Sequence, residues 1–149
     1  MIISLQPPPR DDTGRVVPHD HPGILDGFLI VRGVTERHFA NAGGQLKIST
    51  MLMQPSSGSN GGMSMDVGPL INWKTKGLQN LIVERGWIGA VVLEVEKIRA
   101  LDLMVGWDPL DDNPAHGEVW GNFTRSKKKA LLACAKPIGG FLPPFSFVV

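Results

Sequence analysis

The stretches GFLIVRGV (residues 27–34) and WIGAVVLEV (residues 87–95) decide the expected fold. Each is a short apolar run rich in β-branched side chains and bounded by turn-forming residues, which is the pattern of a buried strand. A third segment, QLKISTMLM (45–53), alternates apolar residues such as Leu46 and Ile48 with polar ones. A period of two predicts a half-buried strand there. The chain is therefore expected to build a sheet.

Helical patterns lie between the predicted strands. KGLQNLIVERG (76–86) has apolar residues at helical spacing and ends at a glycine, and EKIRALDL (96–103) is a second short helical segment. LMVGWD (103–108) predicts another strand. A helix capped by Thr124 or Asn122 is expected to run to about Lys136, because Pro137 stops it. The predicted class is α+β, a single compact domain with short, mostly antiparallel strands and two or three short helices.

Both ends of the chain are rich in proline. Residues 1–26 carry five prolines and no sustained period, which predicts an extended N-terminal arm lying over the domain. The tail, residues 137–149, either adds a short edge strand or clamps onto the body. TERHFANAGG (35–44) predicts a turn or short helix ended by two glycines. Because no internal repeat or change of composition is visible, residues 1–149 are expected to form one domain.

Composition excludes several classes of protein. The 149 residues are 42% apolar and 19% charged, which is typical of a soluble globular chain and not of a disordered one. A formal net charge of +1 provides no global field to attract nucleic acid or anionic lipid. Cys134 is the only cysteine, which excludes an internal disulfide and a four-cysteine zinc site. With no signal-peptide pattern at the N-terminus and no membrane-length apolar run, we expect a cytoplasmic protein without membrane contact.

The segment DDNPAHGEVWG (111–121) contains the strongest candidate for chemistry. If it is extended, His116 and Glu118 point to the same side because they are two residues apart, and Trp120 continues that side. An imidazole beside a carboxylate suits acid–base work or the orientation of a ligand. The alternative is a turn built from Asp, Asn and proline for backbone reasons, with His116 capping it.

Three other places carry candidate residues. Arg32 interrupts an apolar strand, where it must be paired or must face a cleft. It either binds an anion such as pyrophosphate, or it forms a structural ion pair or faces water at the strand end. Ser64 follows a glycine-rich stretch that allows close approach to a phosphate but matches no phosphate-binding motif, so a plain flexible loop is the alternative. His19 and His21 have the spacing of metal co-ligands, but two ligands do not make a zinc site, and no metal ligands are assigned.

A basic run begins the last predicted helix. Arg125 and Lys127–Lys129 are spread over too wide an arc to serve one groove, so they form a solvated helix face or a weak, salt-sensitive contact with nucleic acid. Cys134 lies on the inner stripe of this helix, where a small core residue is expected rather than a nucleophile.

The order of Arg32, Ser64 and Glu118 along the chain resembles that of the ADP-ribosyltransferase superfamily. The resemblance implies that Arg32 steadies the phosphates of NAD, that Ser64 shapes the nicotinamide pocket, and that Glu118 holds a ribose hydroxyl and stabilises the transition state. The family's paired acidic motif is here His116, Gly117 and Glu118. Because the chain has no tyrosine, Trp120 or a phenylalanine would have to stack on the nicotinamide.

Three hypotheses for function follow. In the first, the protein is a small enzyme of toxin or effector type that binds NAD and transfers ADP-ribose, with Glu118 and His116 as catalytic residues and Arg32, Ser64 and Trp120 as NAD-binding residues. In the second, it is a non-catalytic module whose arm and phenylalanine-rich tail dock on a protein partner. In the third, it is a metal-dependent hydrolase or nuclease that uses histidines and carboxylates.

Overall fold

A six-stranded antiparallel sheet forms the centre of the computed structural model, which describes residues 3–56, 61–73 and 77–149. The strands in chain order are β1 (Leu29–Val34), β2 (Phe39–Ala42), β3 (Gln45–Ile48), β4 (Met63–Val67), β5 (Gly89–Glu94), β6 (Met104–Trp107), β7 (His116–Trp120) and β8 (Lys136–Pro137). The sheet order is β6-β7-β4-β1-β5-β8, and β2 and β3 form a separate hairpin.

Three α-helices pack around this sheet in the described parts of the chain. They are α1 (Leu78–Glu84), α2 (Val95–Arg99) and α3 (Arg125–Cys134), and single 3-10 turns span Glu36–His38, Thr50–Met53 and Gly68–Leu70. The fold is therefore α+β with mostly antiparallel strands, as the sequence predicts.

The two faces of the sheet are covered differently. Because successive strand residues point to opposite faces, Ile30 of β1 joins the main core whereas its neighbour Val31 joins a smaller cluster on the other side. The main core also contains Leu131 of α3, and the smaller cluster contains Ile82 of α1. Both faces of β1 are thus buried, which explains the continuous apolar run in its sequence.

Several predicted elements are confirmed, with shifted ends. The predicted strands over 27–34, 87–95 and 103–108 contain β1, β5 and β6. The last helix begins as expected, because the Thr124 side chain accepts a hydrogen bond from the Lys127 N–H at 3.2 Å. It ends at Cys134 and not at Lys136, which instead pairs with Val92. The ring of a proline disfavours helical backbone angles at the residue before it. Lys136, which precedes Pro137, is therefore not helical, and the helix ends two residues earlier than predicted.

The predicted strand over 45–53 is wrong in its second half. β3 stops at Ile48, and the chain turns into the 3-10 helix Thr50–Met53 because the Ser49 hydroxyl accepts the Met51 N–H at 3.3 Å. Leu46, which the alternation places on the buried face, is also 37% exposed, so the prediction is wrong at that residue.

Besides the two-residue β8, three strands were not predicted as such. In the segment 35–44, expected as a turn or short helix, only Glu36–His38 is helical, and β2 follows it. The two glycines at its end have φ of +61° and +82° and form the turn into β3. β4 lies just after the glycine-rich stretch, part of which falls outside the described residues, and β7 forms from the segment with His116 and Glu118.

The arm and the tail pack onto the body of the domain. The described part of the arm contains no helix or ladder strand, but the prediction that it is extended is wrong for much of its length. An antiparallel bridge joins Arg10 to Val16 around a turn, because the Asp11 carboxylate accepts the N–H groups of Thr13 and Arg15. A second turn brings the Ile24 N–H to the His21 carbonyl, and the Ile24 side chain is fully buried.

In the tail the Val148 carbonyl accepts the Ile48 N–H at 2.7 Å, and the rings of Phe145 and Phe39 lie 4.8 Å apart. The second expectation for the tail, a clamp on the body, is confirmed. None of the helices in the described ranges is long and apolar enough to span a bilayer.

Candidate functional site

The pairing of β4 with β7 brings the candidate side chains together. Ser64 lies opposite Glu118, and Asp66 lies opposite His116. Residues directly opposite in an antiparallel pair point to the same face, so these four side chains share one face of the sheet. The expectation that His116 and Glu118 face one side is confirmed, because His116 Nε2 lies 3.8 Å from Glu118 Oε1.

A cavity of about 320 Å³ opens beside these strands. Arg32, Ser64 and His116 all line it, although they are up to 84 positions apart in the sequence. Glu118 and Trp120 are not among its lining residues and are only 1% and 2% exposed. The structure thus unites three of the five predicted site residues around one cavity and places the other two in the interior.

The charges around the cavity are mainly positive. Its ionisable lining residues are Arg32, Arg37, His38, Asp66, Arg85 and His116. The one carboxylate among them is already engaged, because Asp66 Oδ2 lies 3.2 Å from Arg85 Nη2 and Asp66 Oδ1 accepts a hydrogen bond from Asn113 at 2.8 Å. Three guanidinium groups against one carboxylate leave a cationic surface suited to an anion.

Arg32 is buried beside the cavity and is fixed by backbone carbonyls. Its Nε donates to the Leu52 carbonyl at 2.8 Å, and its Nη1 donates to the Ser64 carbonyl at 2.6 Å. Burial is the main cause that lowers the pKa of Arg32 to about 10; the charge of Arg37 adds to the decrease and the charge of Glu118 opposes it. The guanidinium remains charged at neutral pH. It borders the cavity, and its two hydrogen bonds go to backbone carbonyls and not to the carboxylate of the expected ion pair; anion binding stays a prediction.

His38 contributes a neutral imidazole. Its Nδ1 accepts the Thr35 N–H at 3.0 Å, so Nε2 carries the proton and is a donor. Burial, followed by the nearby charges of Arg32 and Arg37, lowers the pKa of His38 to about 4. The ring is therefore a neutral hydrogen-bond donor beside the cavity at pH 7.

Trp87 forms an aromatic wall of the cavity. Its indole lies directly over Gly33, where a Cβ atom would come within 1.9 Å of the ring. The Arg85 guanidinium lies 5.4 Å from the centroid of the same ring, within range of a cation–π contact. Only glycine at position 33 leaves room for this ring against β1.

His116 has a defined tautomer. A carbonyl oxygen can only accept, so the 2.8 Å contact between His116 Nδ1 and the Asp108 carbonyl places the proton on Nδ1. In the neutral ring, Nε2 has the lone pair and faces Glu118. Asp108 Oδ2 lies 3.7 Å from His116 Nδ1, which completes a group of one histidine and two carboxylates.

His19 and His21 are occupied by structural hydrogen bonds. His21 Nε2 contacts the Gln6 carbonyl at 2.8 Å and its Nδ1 accepts the Gly23 N–H at 2.9 Å. His19 Nδ1 contacts the Val17 carbonyl at 2.8 Å, and its Nε2 accepts a backbone N–H from β6 at 3.2 Å. All four ring nitrogens are used, so this pair holds the arm in place and is not preformed for metal binding.

Several lining residues were not predicted from the sequence as part of this site, among them Arg37, His38, Arg85 and Trp87. Arg85 and Trp87 flank a glycine between a helix and a strand, and Arg37 lies in a short turn. Arg37 and Arg85 look locally like ordinary surface residues, and Trp87 looks like the first residue of a buried strand. The basic run Arg125–Lys129 lies on α3 and lines none of this cavity, so its contact with nucleic acid stays a prediction.

Comparisons of the chain with family models, with curated proteins and with solved structures found no match in any of the three.

Proposed function

We propose that the cavity binds a small ligand that carries a phosphate or pyrophosphate group. The observation that carries this proposal is the convergence of three arginines on one cavity whose single lining carboxylate is already paired. Guanidinium groups suit phosphate oxygens because their N–H donors form a planar fork. The hydroxyls of Thr35, Ser56 and Ser64 supply further donors along the wall.

The dimensions favour a nucleotide-sized ligand. A volume of about 320 Å³ lies at the lower end of the range for ligand pockets, ~300–1,000 Å³. Two smaller hollows adjoin it: one of about 130 Å³ shares Arg37 and His38, and one of about 160 Å³ shares Asp66 and Arg85. The Trp87 wall offers an apolar surface to a base or sugar ring. NAD and ADP-ribose therefore belong in the first ligand panel, with inorganic pyrophosphate as the minimal anion.

ADP-ribosyl transfer is the enzymatic form of this proposal. Arg32, Ser64 and His116 lie on the cavity, and Glu118 lies 3.8 Å from His116 on the same face of the sheet. Transfer requires the Glu118 carboxylate to reach the ribose, whereas anion binding does not. Since Glu118 is 1% exposed, binding is the function that the geometry supports best. Transfer needs a rearrangement that brings Glu118 to the cavity.

Isothermal titration with sodium pyrophosphate, ADP-ribose and NAD tests binding. Arg37→Gln removes an exposed guanidinium from the cavity wall, and the loss of one charged hydrogen bond, about 1.5–3 kcal/mol, predicts at least about tenfold weaker binding. Arg125→Gln is the matched control, because Arg125 is an exposed arginine on α3 away from the cavity. Absence of binding by the wild type, or an equal loss in both variants, would refute the proposal.

Transfer is tested separately by release of nicotinamide from NAD. Glu118→Gln should abolish release while pyrophosphate binding persists in the same preparation. If the wild type binds pyrophosphate but releases no nicotinamide, the transfer hypothesis fails and the binding proposal stands.

A further inference from the structure

One group of ligating side chains lies on the β6–β7 hairpin. Asp108 follows β6 directly, and His116 and Glu118 belong to β7. One possible ligand atom from each of the three residues lies within 4.8 Å of the others. The strands pair from Met104 to Trp107, and a bridge between Leu110 and Asn113 closes the loop, so the three residues are held on a rigid support.

We infer that Asp108, His116 and Glu118 bind one divalent transition-metal ion, Zn²⁺ or Mn²⁺. An imidazole nitrogen with carboxylate oxygens is a donor set that such ions accept. Three protein ligands leave further positions for water or another ligand, as in open metal sites. This inference is independent of the anion-binding proposal.

The separation of the His116 and Glu118 ligand atoms fits a shared ion better than a direct hydrogen bond. His116 Nε2 and Glu118 Oε1 are 3.8 Å apart, beyond hydrogen-bond range. Two ligands that each lie ~2.0–2.2 Å from one ion are separated by about 3–4 Å. The Nδ1–H bond of His116 to the Asp108 carbonyl is also the support that metal-binding histidines usually have, and it directs the Nε2 lone pair toward Glu118.

A buried donor beside the group gives an independent indication. The Trp120 indole N–H is buried and has no hydrogen-bond partner among the residues that the structure describes. A Cβ on Gly62 would lie 2.8 Å from Trp120 Nε1 and 2.6 Å from Glu118 Oε2, so the donor and the carboxylate pack against the same glycine. A buried N–H without an acceptor costs about 1–3 kcal/mol, and a water or anion bound to the ion would supply one.

Titration calorimetry on tag-free, chelator-treated protein with ZnCl₂ and MnCl₂ tests the site. We expect one ion per chain, and at least tenfold weaker binding in His116→Ala and in Asp108→Asn. Both substituted side chains are partly exposed, so these variants should fold. Asp111→Asn is the control, since Asp111 is an exposed carboxylate of the same connection outside the group. Equal binding by His116→Ala and the wild type overturns the inference.

NMR provides a second readout that does not depend on affinity changes. The chain has four tryptophans, and Trp120→Phe assigns one of the four indole N–H signals. Substoichiometric MnCl₂ should broaden the Trp120 signal first in the wild type and leave it sharp in His116→Ala. Broadening that persists in His116→Ala, or that affects all four indoles equally, places the ion elsewhere and refutes the site.

Discussion

Acidification is expected to destabilise the fold through His38. The ring is 4% exposed, and its Nδ1 accepts the Thr35 N–H at 3.0 Å, a bond that requires the neutral imidazole. Burial, followed by the charges of Arg32 and Arg37, lowers the pKa of His38 from 6.5 to about 4. Between these two values the unfolded chain binds a proton that the folded chain does not. The stabilisation is therefore complete above pH 6.5 and is lost as the pH falls toward 4.

The size of the effect follows from the shift in the pKa of His38. Each unit is worth about 1.4 kcal/mol, so a shift from 6.5 to about 4 corresponds to about 3 kcal/mol in the unfolding free energy. The ring borders a cavity that is open to solvent, and screening there reduces the expected loss to about 2 kcal/mol.

Urea denaturation of the wild type and of His38→Asn at pH 7, 6, 5 and 4 measures this contribution. Asparagine does not titrate, and its amide oxygen can accept the Thr35 N–H in place of Nδ1. Because both proteins share all other ionisable groups, the wild type should lose about 2 kcal/mol more than the variant between pH 7 and pH 4. Parallel pH dependence in the two proteins, with unchanged m-values, would show that His38 is not held neutral by its surroundings.

Two further substitutions test the packing around the sheet. Gly33→Ala places a Cβ atom 1.9 Å from the Trp87 ring, so it should lower the unfolding free energy by about 1–3 kcal/mol and shift the tryptophan emission. Gly27→Ala is the control, because its Cβ would have no other atom within 4 Å, and it should change neither quantity. Leu131→Ala empties a core position that is 1% exposed and should lower the unfolding free energy by about 2–5 kcal/mol; Val83→Ala, at a position 72% exposed, should change it by less than about 0.5 kcal/mol. Thermal and urea unfolding measure the stability of each variant and its control. If a control lost as much unfolding free energy as the variant it is paired with, the packing argument would be wrong.

Strands can be predicted from the sequence where their burial requires a recognisable run of apolar residues. β1 and β5 were predicted because both faces of each strand are buried, which requires an uninterrupted apolar run. β4 has a period of two as well, with Ser64 and Asp66 alternating with methionine and valine, but methionine is not a typical strand residue and glycines precede it. Its strand character depends on pairing with β1 and β7, which lie far away in the sequence.

The candidate site was only partly predictable for the same reason. Arg32 was identified because a charge inside an apolar strand is anomalous wherever the strand lies. Arg37, Arg85 and Trp87 have no such local anomaly, and they reach the cavity only because β1 lies between β4 and β5 in the sheet. The order of strands is a long-range property that neither spacing nor composition encodes.

The cavity exists where the pairing of two strands stops. β1 and β4 share the registered pairs Ile30 with Val67 and Val31 with Asp66, and two residues before Asp66 along β4 the Arg32 guanidinium donates to the Ser64 carbonyl. The burial of this long cationic side chain is offset by its two hydrogen bonds to the Leu52 and Ser64 carbonyls. The same group therefore joins two backbone segments and places a positive charge at the cavity wall. On the proposed function, an anion would bind where the β1–β4 pairing ends, and no sequence motif would be required for it.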